Sequence, residues 1–178
     1  MQTFPDAYES GIPLCTQSQW GWHSFPNPQG FAFDQQIVTR LPARARPGHL
    51  HAILLTLEKL APGSRSDVSR PLHQLAEALV KRSLVVLISD LLDEPDAVMR
   101  GLKHLRFRGT DVIVLQLLDP HELQFPFQGA ARFTDVESAD EITADPARVR
   151  TGYLEALEGL RGKYERELRG AGIDFLTL

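Results

Sequence analysis

Cysteine, excess basic charge and long apolar runs are all scarce in this sequence. Cys15, the single cysteine among 178 residues, cannot form an internal disulfide and is typical of a reducing compartment. The net charge of −4 and the pI near 5.8 give no electrostatic reason to expect nucleic acid as a partner. No segment resembles a signal peptide or reaches the length of a membrane span. We therefore expect a cytoplasmic protein with no membrane span in this chain.

Motifs of the common enzyme classes do not occur in the sequence either. It has no nucleophile elbow, no phosphate-binding loop and no set of cysteine and histidine ligands. His49 and His51 are two positions apart at the start of a predicted helix, whereas a metal-binding pair on a helix needs i, i+4 spacing. We interpret them as solvated histidines and assign no catalytic or cofactor-binding residue.

The central feature of the sequence is the apolar run at residues 83–90. With 43% hydrophobic residues, the chain is large enough to form one α/β domain around it. The run has no period-two alternation, which predicts a buried parallel strand covered on both faces by helices. A helix beginning at Pro95 and ending at Gly109, then a second apolar strand at 110–118, complete a predicted βαβ unit.

The remaining segments are predicted from periodicity and turn signals. Residues 1 to about 32 show neither helical nor strand periodicity, so we predict an irregular leader. Its aromatic residues, Trp20, Trp22 and Phe25, could form a recognition loop, but a poorly ordered leader is the better interpretation. The other predictions are an edge hairpin at 31–42, helices at 48–60, 68–79 and 146–169, an extended excursion at 123–143 pinned by phenylalanines, and a third core strand at 173–178.

Acidic side chains follow both predicted strands. They are Asp90, Asp93, Glu94, Asp119 and Glu122, and His121 lies among them. If the strands are adjacent, these groups converge at the carboxyl edge of the sheet, where open α/β sheets bind ligands. Helix or turn capping is the favoured explanation for Asp93, Glu94 and Asp119. For Asp90 capping and function are equally plausible.

Seven stretches resemble the domain of unknown function 58 family, whose fold is similar to the von Willebrand factor type A domain. They are FDQQI at 33–37, RPGHL at 46–50, SLVVLISDLLD at 83–93, DVIV at 111–114, DPHELQFPF at 119–127, RFTD at 132–135 and GID at 172–174. The resemblance covers about four fifths of the chain and implies a type A-like, Rossmann-like α/β fold with a mostly parallel sheet flanked by helices.

The resemblance also implies a degenerate metal site. Type A folds hold a divalent cation with an Asp-x-Ser-x-Ser after the first strand, a Thr in the next loop and an Asp after the fourth strand. Here Asp90 matches the last of these and Ser66 stands at the Thr position, but the Asp-x-Ser-x-Ser does not occur. We therefore expect weak Mg²⁺ binding at most.

The missing motif further implies a partial domain. We expect residues 1–32 to be a non-family leader and residues 33–178 to be a type A-like domain without its first strand, incomplete at the N-terminus and possibly at the C-terminus. The strand edges left open would favour self-association.

Two functions from different classes follow from these observations. The resemblance implies a non-enzymatic protein-interaction domain that works with a MoxR-type AAA ATPase in the assembly or maturation of other proteins. Its partner surface would include Ser66, Asp67, Asp90, Asp93 and Asp119. The alternative is a metal-dependent hydrolase that uses Asp90, Asp119 and His121.

Overall fold

The computed structural model describes residues 14–18, 29–33, 37–42, 49–59, 68–79, 83–129, 131–134 and 141–178. In chain order its elements are β1 (Leu14–Ser18), β2 (Gln29–Phe33), β3 (Ile37–Leu41), α1 (His49–Glu58), α2 (Ser69–Ala78), β4 (Leu84–Ser89), α3 (Pro95–Phe107), β5 (Asp111–Gln116), α4 (Pro120–Gln124), β6 (Ala131–Thr134), β7 (Glu141–Ala144), α5 (Pro146–Gly170) and β8 (Asp174–Thr177).

Six of the described strands form one sheet in the order β3-β2-β1-β4-β5-β8. The strands β4, β5 and β8 are parallel, as the predicted βαβ unit requires, with Leu87 opposite Val114 and Val114 opposite Phe175. The strands β1, β2 and β3 are joined in antiparallel pairs, and β1 is also antiparallel to β4. The prediction of a mostly parallel sheet is therefore wrong for this half. Between β2 and β3 the link of residues 34–36 is too short for the crossover that parallel strands need.

The prediction of an irregular segment over residues 1–32 is also wrong for residues 14–18 and 29–30, whereas the hairpin predicted at 31–42 is confirmed as β2 and β3. Strand β1 has neighbours on both sides, since Thr16 lies opposite Gly30 in β2 and opposite Val86 in β4. The edge of β4 that we expected to be open is thus paired. Trp20, Trp22, Phe25, Ser66 and Asp67 lie outside the described residues.

Helices α2, α3 and α5 pack on one face of the sheet and form the hydrophobic core with it. Val85 and Leu87 of β4 are buried in this core, and Leu84, Val86 and Ile88 on the other face are only partly buried. Helices therefore flank the parallel strands as predicted, although β4 is fully buried on one face only. On the second face, Ile53 of α1 is buried beside Gly30.

The predicted helices are confirmed, with two corrections at the periphery. His49 is buried at the start of α1, whereas His51 is exposed as predicted. Strand β8 is an edge strand with alternate residues exposed, so it is not a core strand. No helix in the described ranges combines the length and the apolar character needed to cross a membrane.

The predicted extended excursion after β5 forms a hairpin, β6 and β7, held by aromatic residues. The Phe125 ring lies 5.0 Å from Phe127, 5.8 Å from Phe133 and 4.7 Å from Tyr153 of α5, measured between centroids. This aromatic cluster attaches the hairpin to the helix layer beside the carboxyl end of β5.

Candidate functional site

The chain makes a strained turn directly after β4. Leu91 has φ 58, in the left-handed region that leucine rarely adopts, and its side chain is fully buried. Its N–H donates to Ser89 Oγ at 3.1 Å, and its carbonyl accepts from the Tyr164 hydroxyl at 3.3 Å. The turn leaves Asp90 partly exposed and Leu92 53% exposed. Surrounding contacts thus hold a strained backbone at the position that presents Asp90, which is a frequent feature of functional sites.

Gln116, at the end of β5, joins the carboxyl ends of three strands. Its side chain is fully buried, its Nε2 donates to the carbonyl of Asp90 at 2.9 Å, and its Oε1 accepts from Thr177 Oγ1 at 3.3 Å. A buried amide needs such partners. Gln116 was not predicted from the sequence as part of the site, although a glutamine within an apolar strand was the available signal.

The carboxylates of Asp93 and Glu94 accept hydrogen bonds at the starts of two different helices. Glu94 caps α3, because its carboxylate accepts from the N–H groups of Asp96 at 3.2 Å and Ala97 at 2.7 Å. Asp93 Oδ2 instead accepts from the N–H of Val68, the residue before α2, at 2.9 Å. Capping of α3 is confirmed for Glu94, whereas Asp93 stabilises the start of α2 across the edge of the sheet.

Asp119 and Glu122 form a capping box around α4. Asp119 Oδ1 accepts from the backbone N–H of His121 at 2.6 Å and lies 2.8 Å from His121 Nδ1, and Glu122 Oε2 accepts from the N–H of Asp119 at 2.8 Å. The hydrogen bonds from the backbone and then from the ring of His121 hold the pKa of Asp119 below its usual value. The prediction that Asp119 has a capping role is confirmed.

Carboxylates from the two strand ends interact at the edge of the sheet. Burial raises the pKa of Glu122, and the negative charges of Asp90 and Asp119 raise it further. Burial likewise raises the pKa of Tyr164, with contributions from Asp93, Glu94 and Asp90. We call the surface formed by Asp90, Asp93, Glu94, Asp119 and Glu122 the acidic edge. Because β4 and β5 are adjacent, Asp90 after β4 and Asp119 after β5 both lie within range of Glu122, which is the part of the predicted convergence that the structure shows.

Asp90 is the member of the acidic edge with the weakest protein contacts of its own. Its Oδ1 is 3.4 Å from both Ser89 Oγ and the N–H of Leu92, longer than a good hydrogen bond. No group of three or more His, Cys, Asp or Glu residues suited to a metal ion occurs in the described part of the chain. Ser66 lies outside that part, so the Ser66 and Asp90 metal pair stays a prediction.

Comparisons with known proteins agree with the resemblance seen in the sequence. The model of the family described as "Protein of unknown function DUF58" matches residues 29–162, from β2 into α5. Uncharacterized proteins of Mycobacterium bovis and Mycobacterium tuberculosis are each 33% identical over 146 residues, which cover 79% of this chain. The aligned region is 45% of each relative, so the chain spans less than half of their length. No solved structure matches the chain. From the family match and these relatives, the chain belongs to the DUF58 family of proteins of unknown function.

Proposed function

We propose that this chain is a non-enzymatic protein-interaction domain whose partner binds the acidic edge. The observation that carries the proposal is the presentation of Asp90 and Leu92 on a strained, fully supported turn. Among the acids of the edge, Glu94, Asp119 and Glu122 cap helices and Asp93 accepts a hydrogen bond at the start of α2, which leaves Asp90 to contact a partner. The exposed Leu92 adds apolar contact area beside it.

The chemistry of this surface indicates the kind of partner. An acidic group next to an exposed leucine suits a surface with a basic side chain beside an apolar pocket. The resemblance to the domain of unknown function 58 family supports a MoxR-type AAA ATPase as that partner, with protein assembly or maturation as the process. Weak Mg²⁺ binding through Ser66 and Asp90 belongs to the same proposal and would place a cation between Asp90 and an acid of the partner.

Site-specific photo-crosslinking tests the position of the interface. A photoreactive residue at Leu92 is expected to crosslink to a co-expressed MoxR-type ATPase, whereas the same residue at Glu155, exposed on α5, is the matched control. Crosslinks from Glu155 and none from Leu92 would contradict the proposed surface.

Charge substitution tests the contribution of Asp90. Asp90→Lys is expected to weaken the complex, because it removes the attraction between Asp90 and a basic side chain of the partner. Salt screens such attractions over about 8 Å at physiological ionic strength, so the affinity of the variant should also depend less on salt. Glu158→Lys on exposed α5 provides a control with the same change of charge. If both variants bind equally well, Asp90 does not contact the partner.

A further inference from the structure

Two histidines face each other on the helix layer, away from the acidic edge. His73 of α2 and His104 in the last turn of α3 have their Nδ1 atoms 2.9 Å apart. Their ring centroids are 5.1 Å apart, with a tilt of 44° between the ring planes, and both side chains are partly buried. At this distance one neutral ring can donate a hydrogen bond to the other, or both rings can direct their lone pairs at one electrophile.

The packing of the two helices holds this arrangement in place. A Cβ built on Gly101 would be 2.8 Å from the Cβ of Leu72, so the glycine allows α2 and α3 an unusually close approach. Leu72 precedes His73, and Gly101 is one helical turn before His104. Since Leu72 and Leu102 are fully buried, the backbone positions of both histidines are set by the core. The pair is therefore preorganised, which lowers the cost of binding.

We propose that His73 and His104 form a binding site for a divalent transition-metal ion, coordinated by the Nδ1 atoms of both rings. Two ligands at right angles around an ion, with metal–nitrogen bonds of about 2.0–2.1 Å, are about 2.9 Å apart, whereas tetrahedral ligands are about 3.4 Å apart. The observed 2.9 Å matches the right-angled arrangement. Square or octahedral coordination by nitrogen is preferred by Cu²⁺ and Ni²⁺.

The surroundings of the pair determine which ions it selects. In the described part of the chain no third histidine, cysteine or carboxylate completes a ligand group, so water fills the remaining positions and the ion stays exchangeable. Arg70 is three residues before His73, and Arg100 is four residues before His104, so each shares a helix face with its histidine. Their positive charges oppose every cation at this site, so binding depends on the two metal–nitrogen bonds. Hard cations such as Mg²⁺, which depend on carboxylate oxygens, should not bind here.

Calorimetric titration of the full chain with Cu²⁺ and with Ni²⁺ tests the proposal. We expect one ion per chain for each metal, and any heat of binding from Mg²⁺ should be unchanged by substitution of either histidine. The variants His73→Gln and His104→Gln keep polar side chains of similar reach but remove a ligand, so each should weaken binding at least tenfold. His51→Gln, at an exposed position of α1, is the matched control and should bind as the parent does.

Two further readouts separate a specific site from general binding to histidine. The paramagnetic resonance spectrum of the Cu²⁺ complex should show coupling to two nitrogens in the parent and to one in either glutamine variant. The ion should also raise the thermal midpoint by about 5–11 °C at a concentration near one hundred times its dissociation constant, and this shift should be lost in the double variant.

The proposal is overturned if folded glutamine variants bind Cu²⁺ and Ni²⁺ as tightly as the parent. It is also overturned if the parent binds neither ion, in which case the two rings only share a hydrogen bond. Circular dichroism establishes that each variant is folded. If a glutamine variant does not fold, the two-nitrogen signal of the parent decides the question, since its absence contradicts the site.

Discussion

At the scale of single residues, the acidic edge depends on two side chains that carry no charge. Leu91 turns the chain after β4 in a left-handed conformation, and Gln116 connects the ends of β4 and β8 to β5. Both are fully buried, so they determine where Asp90 lies without being able to contact a partner. Substitutions at these positions should lower the stability of the protein, and should affect partner binding only indirectly, by moving Asp90.

The strain at Leu91 leads to the first prediction. Leu91→Ala should lower the free energy of unfolding by about 2–5 kcal/mol, because it removes a buried side chain. Leu91→Gly should be no worse and up to about 1 kcal/mol better than Leu91→Ala, because glycine adopts positive φ without the penalty of about 1–2 kcal/mol.

Urea denaturation of both variants measures the difference, with Leu102 of α3 as the matched control. Leu102 is equally buried but helical, so Leu102→Gly should be about 1 kcal/mol less stable than Leu102→Ala. If Leu91→Gly is likewise less stable than Leu91→Ala, the turn is not strained.

The partly exposed carboxylate of Asp90 leads to the second prediction. With Ser66 and Asp90 as its only protein ligands, Mg²⁺ should bind no more tightly than about millimolar, since the ion stays mostly hydrated. Asp90→Ala should abolish this binding in calorimetry. Asp96→Ala is the control, because Asp96 forms an ion pair with Lys163 on α5. A micromolar dissociation constant that depends on Asp90 would contradict the interpretation of a degenerate site.

At the scale of elements, the close contact of α2 with α3 sets the geometry of the helix layer. Each helix begins with a side-chain acceptor from the loop after β4, Asp93 for α2 and Glu94 for α3. Gly101 then allows the two helices to approach closely. One short loop at the carboxyl end of β4 therefore positions both helices relative to the sheet.

The contact at Gly101 leads to the third prediction. Gly101→Ala should destabilise the protein, because overpacking costs about 1–3 kcal/mol and exceeds the gain of at most about 1 kcal/mol in helix propensity. Gly159→Ala is the matched control in α5, where no atom lies within 4 Å of the added methyl group. It should stabilise the protein by up to about 1 kcal/mol. Chemical denaturation measures both, and stabilisation by Gly101→Ala would contradict the close contact.

At the scale of the whole molecule, the sheet is continuous because β1 joins its two halves. It pairs with β2 on one side, next to β3, and with β4 on the other side, followed by β5 and β8. Without it, the edges of β2 and β4 would each present unpaired backbone groups. The self-association that we predicted from an open sheet should therefore depend on β1.

Removal of β1 leads to the fourth prediction. A chain lacking residues 1–18 should form oligomers or aggregates in light scattering, bind an apolar dye and unfold in a broad transition. Thr16→Pro tests the same point, because every N–H of an interior strand faces a partner strand. Thr16→Val, which keeps the N–H, is the control. If the truncated chain and the proline variant stay monomeric with a sharp transition, β1 does not close the sheet.

The sequence by itself determined the elements whose signals are local. The apolar runs of β4 and β5, the proline and glycine that bound α3, and the helical periodicity of α5 predicted these elements, and the structure has them. The capping roles of Glu94 and Asp119 were predictable for the same reason, because each caps a helix that begins with the next residue. Helix and strand propensity, capping and periodicity depend on residues close together in the chain, so they can be recognised from the sequence.

Only the tertiary structure decided which distant residues meet. Asp93 binds the N–H of Val68, 25 residues away in the sequence, and His73 contacts His104, 31 residues away. Strand β1 pairs with β4 although its sequence, LCTQS, has no alternation of apolar and polar residues. The strain at Leu91 likewise depends on contacts from Tyr164, far along the chain. Such pairs depend on how the helices and strands pack together. The free energy that favours this packing comes from apolar surface buried between many elements, so no short stretch of sequence predicts it.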